Sequence, residues 1–284
     1  MLEVLGDEWT LRIIQHALLG ATRYGDFATA LPVSHSVLTG RLHALVAGEL
    51  LTRREYQTNP PRSEYPVTAR SRSLWPVLTS IWEWERRWVP GHTQRLPGMR
   101  HEACGSDFAP QITCEECGAA VTEKDVVAQW GPSGSWKRSV PSTTNRRRSG
   151  NRRGNAGLLF PQTMSVLGDR WAFALLVAAF VGAARFTDFQ SQLSAPPGTI
   201  ADRLSVFGAE GILVSTAGRY RLTEKGRAFF PVLVTALQWA QRWYPDREGP
   251  AVEITHSLCG RHFKPVLVCD QCTTALRGAK VAPI

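Results

Sequence analysis

Along residues 4–19, apolar side chains fall at positions 5, 9, 13, 14, 17 and 18, the spacing of one face of a helix. Residues 23–31 predict a shorter second helix with Tyr24, Phe27 and Leu31 inward, and Pro32 ends it. Ser34 is placed to cap a third helix that runs to about Gly48. Its core face would carry Val37, Leu38, Leu42 and Leu45; its other face carries His35, Ser36, Thr39, Arg41 and His43. Residues 50–56 and 64–68 have strand character, and residues 58–63 between them read as a proline-bearing turn. From Thr68 a long helix follows with Trp75, Trp82, Trp84 and Trp88, which Pro76 should bend or truly begin.

The pattern then returns. Val4-Leu5-Gly6-Asp7-Glu8-Trp9 is matched by Val166-Leu167-Gly168-Asp169-Arg170-Trp171, and the halves align without a gap to Leu51 and Leu213. Asp26-Phe27 matches Asp188-Phe189, and Arg41-Leu42 matches Arg203-Leu204. After a deletion of seven residues in the second half, Tyr65 pairs with Tyr220, Trp84 with Trp239, Trp88 with Trp243, His101 with His256 and Cys104 with Cys259. A repeat this long is a duplicated domain of roughly 120 residues rather than a solenoid unit. The second copy also has apolar residues before its motif (Leu158 to Met164), so the first copy is expected to have a shorter opening.

Three helices, a hairpin and one more helix is the order of a winged helix-turn-helix. The runs Leu5-Gly6-Asp7-Glu8-Trp9-Thr10, Arg23-Tyr24-Gly25-Asp26-Phe27 and Leu38-Thr39-Gly40-Arg41-Leu42 resemble the HxlR-type winged-helix transcriptional regulators. So do the wing, from Arg53-Arg54-Glu55-Tyr56 through Asn59-Pro60-Pro61-Arg62-Ser63-Glu64-Tyr65, and Val67-Thr68 leading to Pro76-Val77-Leu78. The resemblance covers about residues 4–90 and 166–245. It implies a bacterial DNA-binding protein whose relatives dimerise through terminal helices. Two copies in one chain would make a covalent pseudo-dimer, with further homodimerisation left open.

The expected fold is mainly α with small β-hairpin wings: two winged helix-turn-helix domains in tandem, each followed by a small Cys/His zinc-knuckle-like tail. The divisions are 1–92 (first winged domain), 93–124 (first tail), 125–157 (linker), 158–246 (second winged domain) and 247–284 (second tail).

The partner that this fold implies is double-stranded DNA. Ser34, His35, Ser36, Thr39 and His43 can donate or accept at base edges from a helix in the major groove. Arg53, Arg54 and Arg62 lie on the hairpin, within reach of phosphates or a minor groove. Each of these also has a plainer reading as solvated surface. Arg41 is expected either at a phosphate or paired with Glu8 or another acid. In the second copy the corresponding helix begins near Pro197 and exposes Gly198, Thr199, Ala201, Asp202 and Arg203, and its shorter wing carries Arg219 and Arg221. Thr199, Arg203 and Arg219 are the candidates there, but Asp202 would meet phosphate unfavourably, so a weaker contact is expected.

All six cysteines lie in the two tails, three in each, an odd number that argues for metal over a closed disulfide set. Each tail repeats His-x2-Cys-x9-Cys-x2-Cys: His101, Cys104, Cys114 and Cys117, then His256, Cys259, Cys269 and Cys272. One His and three Cys make a closed tetrahedral zinc set, structural rather than catalytic, so two zinc ions are expected, one in each tail. Metal-free thiols and redox-active pairs are the other readings. Phe108-Ala109-Pro110 and Phe263-Lys264-Pro265 are expected to form the turns between ligand pairs.

Net charge is +9, which suits an anionic partner. Residues 131–157 are rich in Gly, Ser, Asn and Arg, the composition of a flexible basic tether that either adds salt-sensitive DNA contact or is a spacer. No apolar run reaches the ~18 residues of a membrane span, and residues 175–181 read as a buried core helix. Acidic Glu3 and Asp7 close behind Met1 speak against a secretory signal, so no membrane partner and a cytoplasmic location are expected. No Ser/His/Asp, phosphate-loop or dinucleotide signature is present, so the chain is not expected to be an enzyme. The competing function is a small-molecule-sensing or sequestering protein with an aromatic pocket between the winged domains, lined by Trp82, Trp84, Trp88, Trp239 and Trp243. A small-molecule effector of DNA binding would be compatible with both.

Overall fold

The computed structural model describes residues 2–90, 96–134 and 160–284. The first half runs α1 (Leu2–Leu5), α2 (Glu8–Leu18), α3 (Tyr24–Ala30), α4 (His35–Ala47), β1 (Arg54–Thr58), β2 (Pro61–Glu64), α5 (Ala69–Arg72) and α6 (Trp75–Trp88). Four short strands follow: β3 (Met99–His101), β4 (Ser106–Phe108), β5 (Pro110–Cys114) and β6 (Val126–Trp130). The second half repeats the order as α7 (Pro161–Leu167), α8 (Arg170–Phe180), α9 (Phe186–Leu193), α10 (Pro197–Ala209), β7 (Leu213–Thr216), β8 (Arg219–Leu222), α11 (Glu224–Arg227) and α12 (Phe230–Trp243). It closes with β9 (Val252–His256), β10 (Pro265–Cys269) and β11 (Val281–Pro283).

The apolar period across residues 4–19 predicted one helix, but the chain breaks at Gly6-Asp7. Asp7 takes extended backbone and its carboxylate accepts from the Thr10 amide at 2.9 Å, capping α2. Asp169 does the same for α8, accepting from the amides of Trp171 and Ala172, both at 2.9 Å. In the second copy α7 and α8 meet at 82°. The corner needs glycine: a Cβ on Gly168 would stand 2.4 Å from the Met164 carbonyl oxygen and 3.5 Å from that of Gly6. The two copies of the repeated motif therefore touch at their corners.

The helix expected from Thr68 is two. Thr68 caps α5, and Pro76 lies in the first turn of α6, where its missing N–H costs nothing. The second hairpin turns on Ala217 and Gly218, both at positive φ (49° and 73°), as a two-residue turn with the twist of its strands requires. The apolar segment near residue 175 is a core helix as expected: every residue from 172 to 178 is buried.

The halves share one continuous core. Helices α6 and α12, equivalent in the repeat, pack together and exchange equivalent bonds. Trp84 Nε1 donates to the Lys225 carbonyl and Trp239 Nε1 to the Arg70 carbonyl, both at 3.1 Å. Trp84 also meets Phe229 edge-on at 4.9 Å, and Trp82 meets Phe160 at 6.0 Å. Trp243 Nε1 donates to Ser73 Oγ at 2.8 Å; Ala228, the counterpart of Ser73, offers Trp88 no such hydroxyl. The aromatic stripe thus helps to hold the halves together. The apolar cavity beside it, against Val177, Phe180, Phe230, Leu233 and Leu237, amounts to ≈ 20 Å³, room for a water molecule.

Among the described residues beyond the winged units, every pairing of these strands except β3 with β4 crosses between halves. β5 pairs antiparallel with β10, its own equivalent, with Ile112 opposite Leu267. β6 pairs with β9 and β11 with β3, so Val126 faces His256 just as Val281 faces His101. Self-pairing of equivalent strands is the mark of a two-fold contact. Residues 126–130, assigned from sequence to the linker, are therefore part of this sheet structure. The rest of the expected basic tether, from residue 135, lies outside the described residues. Among the described residues no single helix is long and apolar enough to cross a membrane.

Candidate nucleic-acid interface and metal-binding clusters

Helix α4 stands out from the first winged unit. Ser34, capping it through the Val37 amide at 3.4 Å, and His35, Ser36, Thr39 and His43 are all exposed, while Leu38, Leu42 and Leu45 are buried. Val37, expected in the core, is 40% exposed. Position 37 precedes Leu38 by 100° of helical turn, which carries it past the edge of the buried stripe. The wing of the same unit adds a basic surface. Arg53, Arg54 and Arg62 are exposed on it, with Arg53 Nε donating to Ser63 Oγ at 3.0 Å and Arg54 paired with Glu64. Arg23 stacks over Tyr56 at 5.0 Å and ties the wing to the start of α3.

Arg41, expected at a phosphate or at an acid, forms an acid pair in the structure. Its guanidinium reaches Asp7 at 2.8 Å. Arg203, expected among the DNA contacts of the second copy, is held likewise, with Nε and a terminal nitrogen each 2.9 Å from the two oxygens of Asp169. In both copies the arginine ties the third helix to the capped start of the one that supports it. The acid is the capping aspartate, not Glu8.

The second interface is poorer. Thr199 is half-buried, and the exposed face of α10 offers Gly198, Ala201, Asp202 and Ser205. Arg219 and Arg221 are exposed on the short wing. One feature of the first copy escaped the sequence reading. Tyr24, expected to point inward, is only half-buried, and its hydroxyl lies 2.9 Å from His35 Nδ1. The signal available was the change from Tyr24 to Phe186 between copies.

Deeper, where α6 meets α7, the Glu85 carboxylate accepts from the Thr163 amide at 2.6 Å. Burial lifts its pKa from 4.5 to about 7, against that bond; nearby Glu8 lifts it further and Lys225 opposes. Their counterparts in the repeat, Arg170 and Ala240, form no such acid pair.

The eight His and Cys residues form two clusters, but not one per tail. His101 and Cys104 come together with Cys269 and Cys272; Cys114 and Cys117 come together with His256 and Cys259. The expected grouping is corrected: each His-x2-Cys of one half meets the Cys-x2-Cys of the other. The reason is the antiparallel β5–β10 pair, whose register sets Cys114 opposite Pro265 and Cys269 opposite Pro110, so each strand delivers its cysteine pair to the far side. In the first cluster His101 Nδ1 is 3.4 Å from both Cys104 and Cys272 Sγ, and Cys104 and Cys269 Sγ are 3.9 Å apart. In the second, His256 Nδ1 is 3.3 Å from Cys259 and 3.4 Å from Cys117, and Cys114 and Cys259 are 4.0 Å apart. Ligands on a tetrahedral zinc lie about 3.8 Å apart for two sulfurs and about 3.5 Å for sulfur and nitrogen, so both sets fit such an ion. Backbone and hydroxyl donors of Thr274 draw the Cys272 thiol down, whereas burial pushes that of Cys269 in the same cluster up. Phe108 and Phe263 do not form turns as expected. They are buried, with ring centroids 5.9 Å and 6.2 Å from those of His101 and His256.

Comparison with known proteins agrees with this architecture. Residues 4–93 and 166–248 each match the family model described as HxlR-like helix-turn-helix. An uncharacterized HTH-type transcriptional regulator of Mycobacterium tuberculosis is 32% identical over 131 residues, 46% of this chain and 83% of that protein. That match is longer than either winged unit. A Synechocystis regulator of the same description is 32% identical over 90 residues, covering 31% of this chain and 67% of its own. A Bacillus subtilis one, YdzF, is 32% identical over 85 residues, covering 29% and 78%.

Proposed function

The chain belongs to the HxlR-like helix-turn-helix family, a family of transcriptional regulators rather than enzymes, and we propose that it is a sequence-specific repressor that grips double-stranded DNA as a covalent pseudo-dimer. The observation that carries this is the exposed polar face of α4, with Ser34, His35, Ser36, Thr39 and His43, in a unit whose wing exposes Arg53, Arg54 and Arg62. A helix of that kind suits a major groove, and wing arginines suit the flanking phosphates. The second unit contributes mainly phosphate contact through Arg219 and a fixed spacing. A protein seated on a duplex through two linked domains occludes it, which is the simplest route to repression.

Each Cys/His cluster holds one structural zinc. Four protein ligands leave no open position for water, so the ions clamp the two halves rather than catalyse. The metal would add to the strand pairing that already joins the halves.

Selection of bound duplexes from a random pool by the full chain tests the DNA reading. One enriched motif, bound with an affinity that falls as salt rises, is the expected result. No enrichment, or binding indifferent to salt, would refute it.

A further inference from the structure

At the exposed start of α4, three side chains line up. Thr39 Oγ1 lies 3.5 Å from the Tyr24 hydroxyl, and that hydroxyl lies 2.9 Å from His35 Nδ1. The Tyr24 and His35 rings are near parallel, at 12° with centroids 5.9 Å apart. The phenol has one proton and two possible acceptors, since the His35 carbonyl oxygen is 3.3 Å away. That carbonyl already serves the first turn of its helix, and the ring nitrogen is nearer. With Thr39 donating to the phenol oxygen and the nearer ring nitrogen as acceptor, the phenol proton goes to Nδ1; a hydrogen on Nδ1 would instead donate to the phenol and send its proton to the His35 carbonyl, and the tautomer separates the two. An imidazole that accepts at Nδ1 carries its hydrogen on Nε2, at the opposite edge of the ring.

The first residues of a recognition helix are those that reach base edges. Building on the DNA reading above, we infer that Tyr24 is a positioning residue that fixes His35 in the Nε2–H form, and that His35 reads the N7 acceptor of a purine in the major groove. N7 is an acceptor on both purines, so the contact separates purine from pyrimidine at one position of the bound strand. In the second copy Tyr24, His35 and Thr39 are replaced by Phe186, Pro197 and Ala201. Phenol, imidazole and hydroxyl are lost together, so this reading belongs to one half alone. A relay lost in all three members is what a shared role predicts.

The test uses the full chain and the duplex it selects from a random pool, with Tyr24→Phe, His35→Ala and the double variant. Phe186 holds the equivalent place in the second copy, so Tyr24→Phe is compatible with the fold, and an unchanged melting temperature checks this. Expected are about ten-fold weaker binding to the selected duplex for His35→Ala, a loss of about two-fold for Tyr24→Phe, as an even tautomer mixture implies, and no loss in the double beyond that of His35→Ala. Binding to an unrelated duplex should be unchanged. Replacing purines one at a time by 7-deaza analogues should weaken the wild-type chain about ten-fold at one position, weaken Tyr24→Phe less there, and leave His35→Ala unaffected there. The ¹⁵N spectrum of His35 should show Nε2–H in the wild type and a tautomer mixture in Tyr24→Phe. The inference is overturned if Tyr24→Phe keeps wild-type affinity and tautomer, if His35→Ala weakens the unrelated duplex equally, or if no 7-deaza position matters. A wild-type chain that enriches no sequence refutes the DNA reading itself, a different outcome from any of these.

Discussion

Asp7 with Arg41 and Asp169 with Arg203 stand at equivalent places in the repeat and do the same work, whereas His35 and Pro197 are also equivalent and cannot do the same work. The duplication has kept what holds each unit together and what joins the two: the capping aspartates, the α6–α12 contact with Trp84 and Trp239, and the crossed strands with their His and Cys residues. It has not kept the outer face of the third helix or the length of the wing. Scaffold and exposed face have therefore diverged to different degrees. A chain that supplies both of its own halves can let one half become chiefly a support, because the two are present in fixed ratio.

The largest effect expected concerns the crossed clusters. Two zinc ions per chain should be found by elemental analysis. Cys104→Ser or Cys269→Ser should leave one ion, and the two together still one, because they share a cluster. Cys104→Ser with Cys117→Ser should leave none. Sites confined to single tails would leave one in that last variant. Removal of both ions by a chelator should cost several kcal/mol or more, given the ~10–16 kcal/mol of structural zinc in small domains.

Next come the capping aspartates. Asp169→Ala removes a helix cap and a two-point arginine contact, and thermal or denaturant unfolding should show a loss of about 3 kcal/mol. Asp7→Ala should cost about as much, since Asp7 also accepts from Thr10 Oγ1 at 2.9 Å and is the more deeply buried of the two. A loss at one site only would break the equivalence of the two supports.

Glu85 sharpens the comparison from the other side, since Ala240 is its counterpart. Its folded pKa of about 7 lies above the unfolded 4.5, so the folded chain keeps a proton that the unfolded chain gives up. Stability is then fully present below about pH 4.5 and falls as pH rises towards 7, by at most about 3 kcal/mol. Glu85→Gln should match the wild type at low pH and exceed it above pH 7. Parallel stability curves would remove the carboxyl from this role. The smallest effect is on the wings: Arg53→Ala/Arg54→Ala should weaken DNA about ten-fold and flatten the salt dependence, and Arg219→Ala/Arg221→Ala should do so by less. Equal losses would contradict the asymmetry.

The sequence was informative where a local rule suffices. Apolar periodicity placed most of the helices, the proline-marked turn located the first wing, and the repeat exposed the duplication; the family motifs named the scaffold. It misled where geometry in three dimensions decides. Val37 looked apolar enough for the core but sits one helical step outside the buried stripe. Arg41 looked equally fit for phosphate or acid until the capped start of α2 was seen beside it. Residues 126–130 followed the last ligand closely enough to be read as linker, yet pair with a strand more than a hundred residues on.

The amino-acid order by itself determined that there are two winged units and eight metal-suited side chains, because periodicity, capping residues and ligand spacing act over a few neighbouring positions. Which cysteines meet which histidine was decided only by the fold. That choice depends on the antiparallel register of β5 against β10, a contact between halves that the spacing within either tail does not encode.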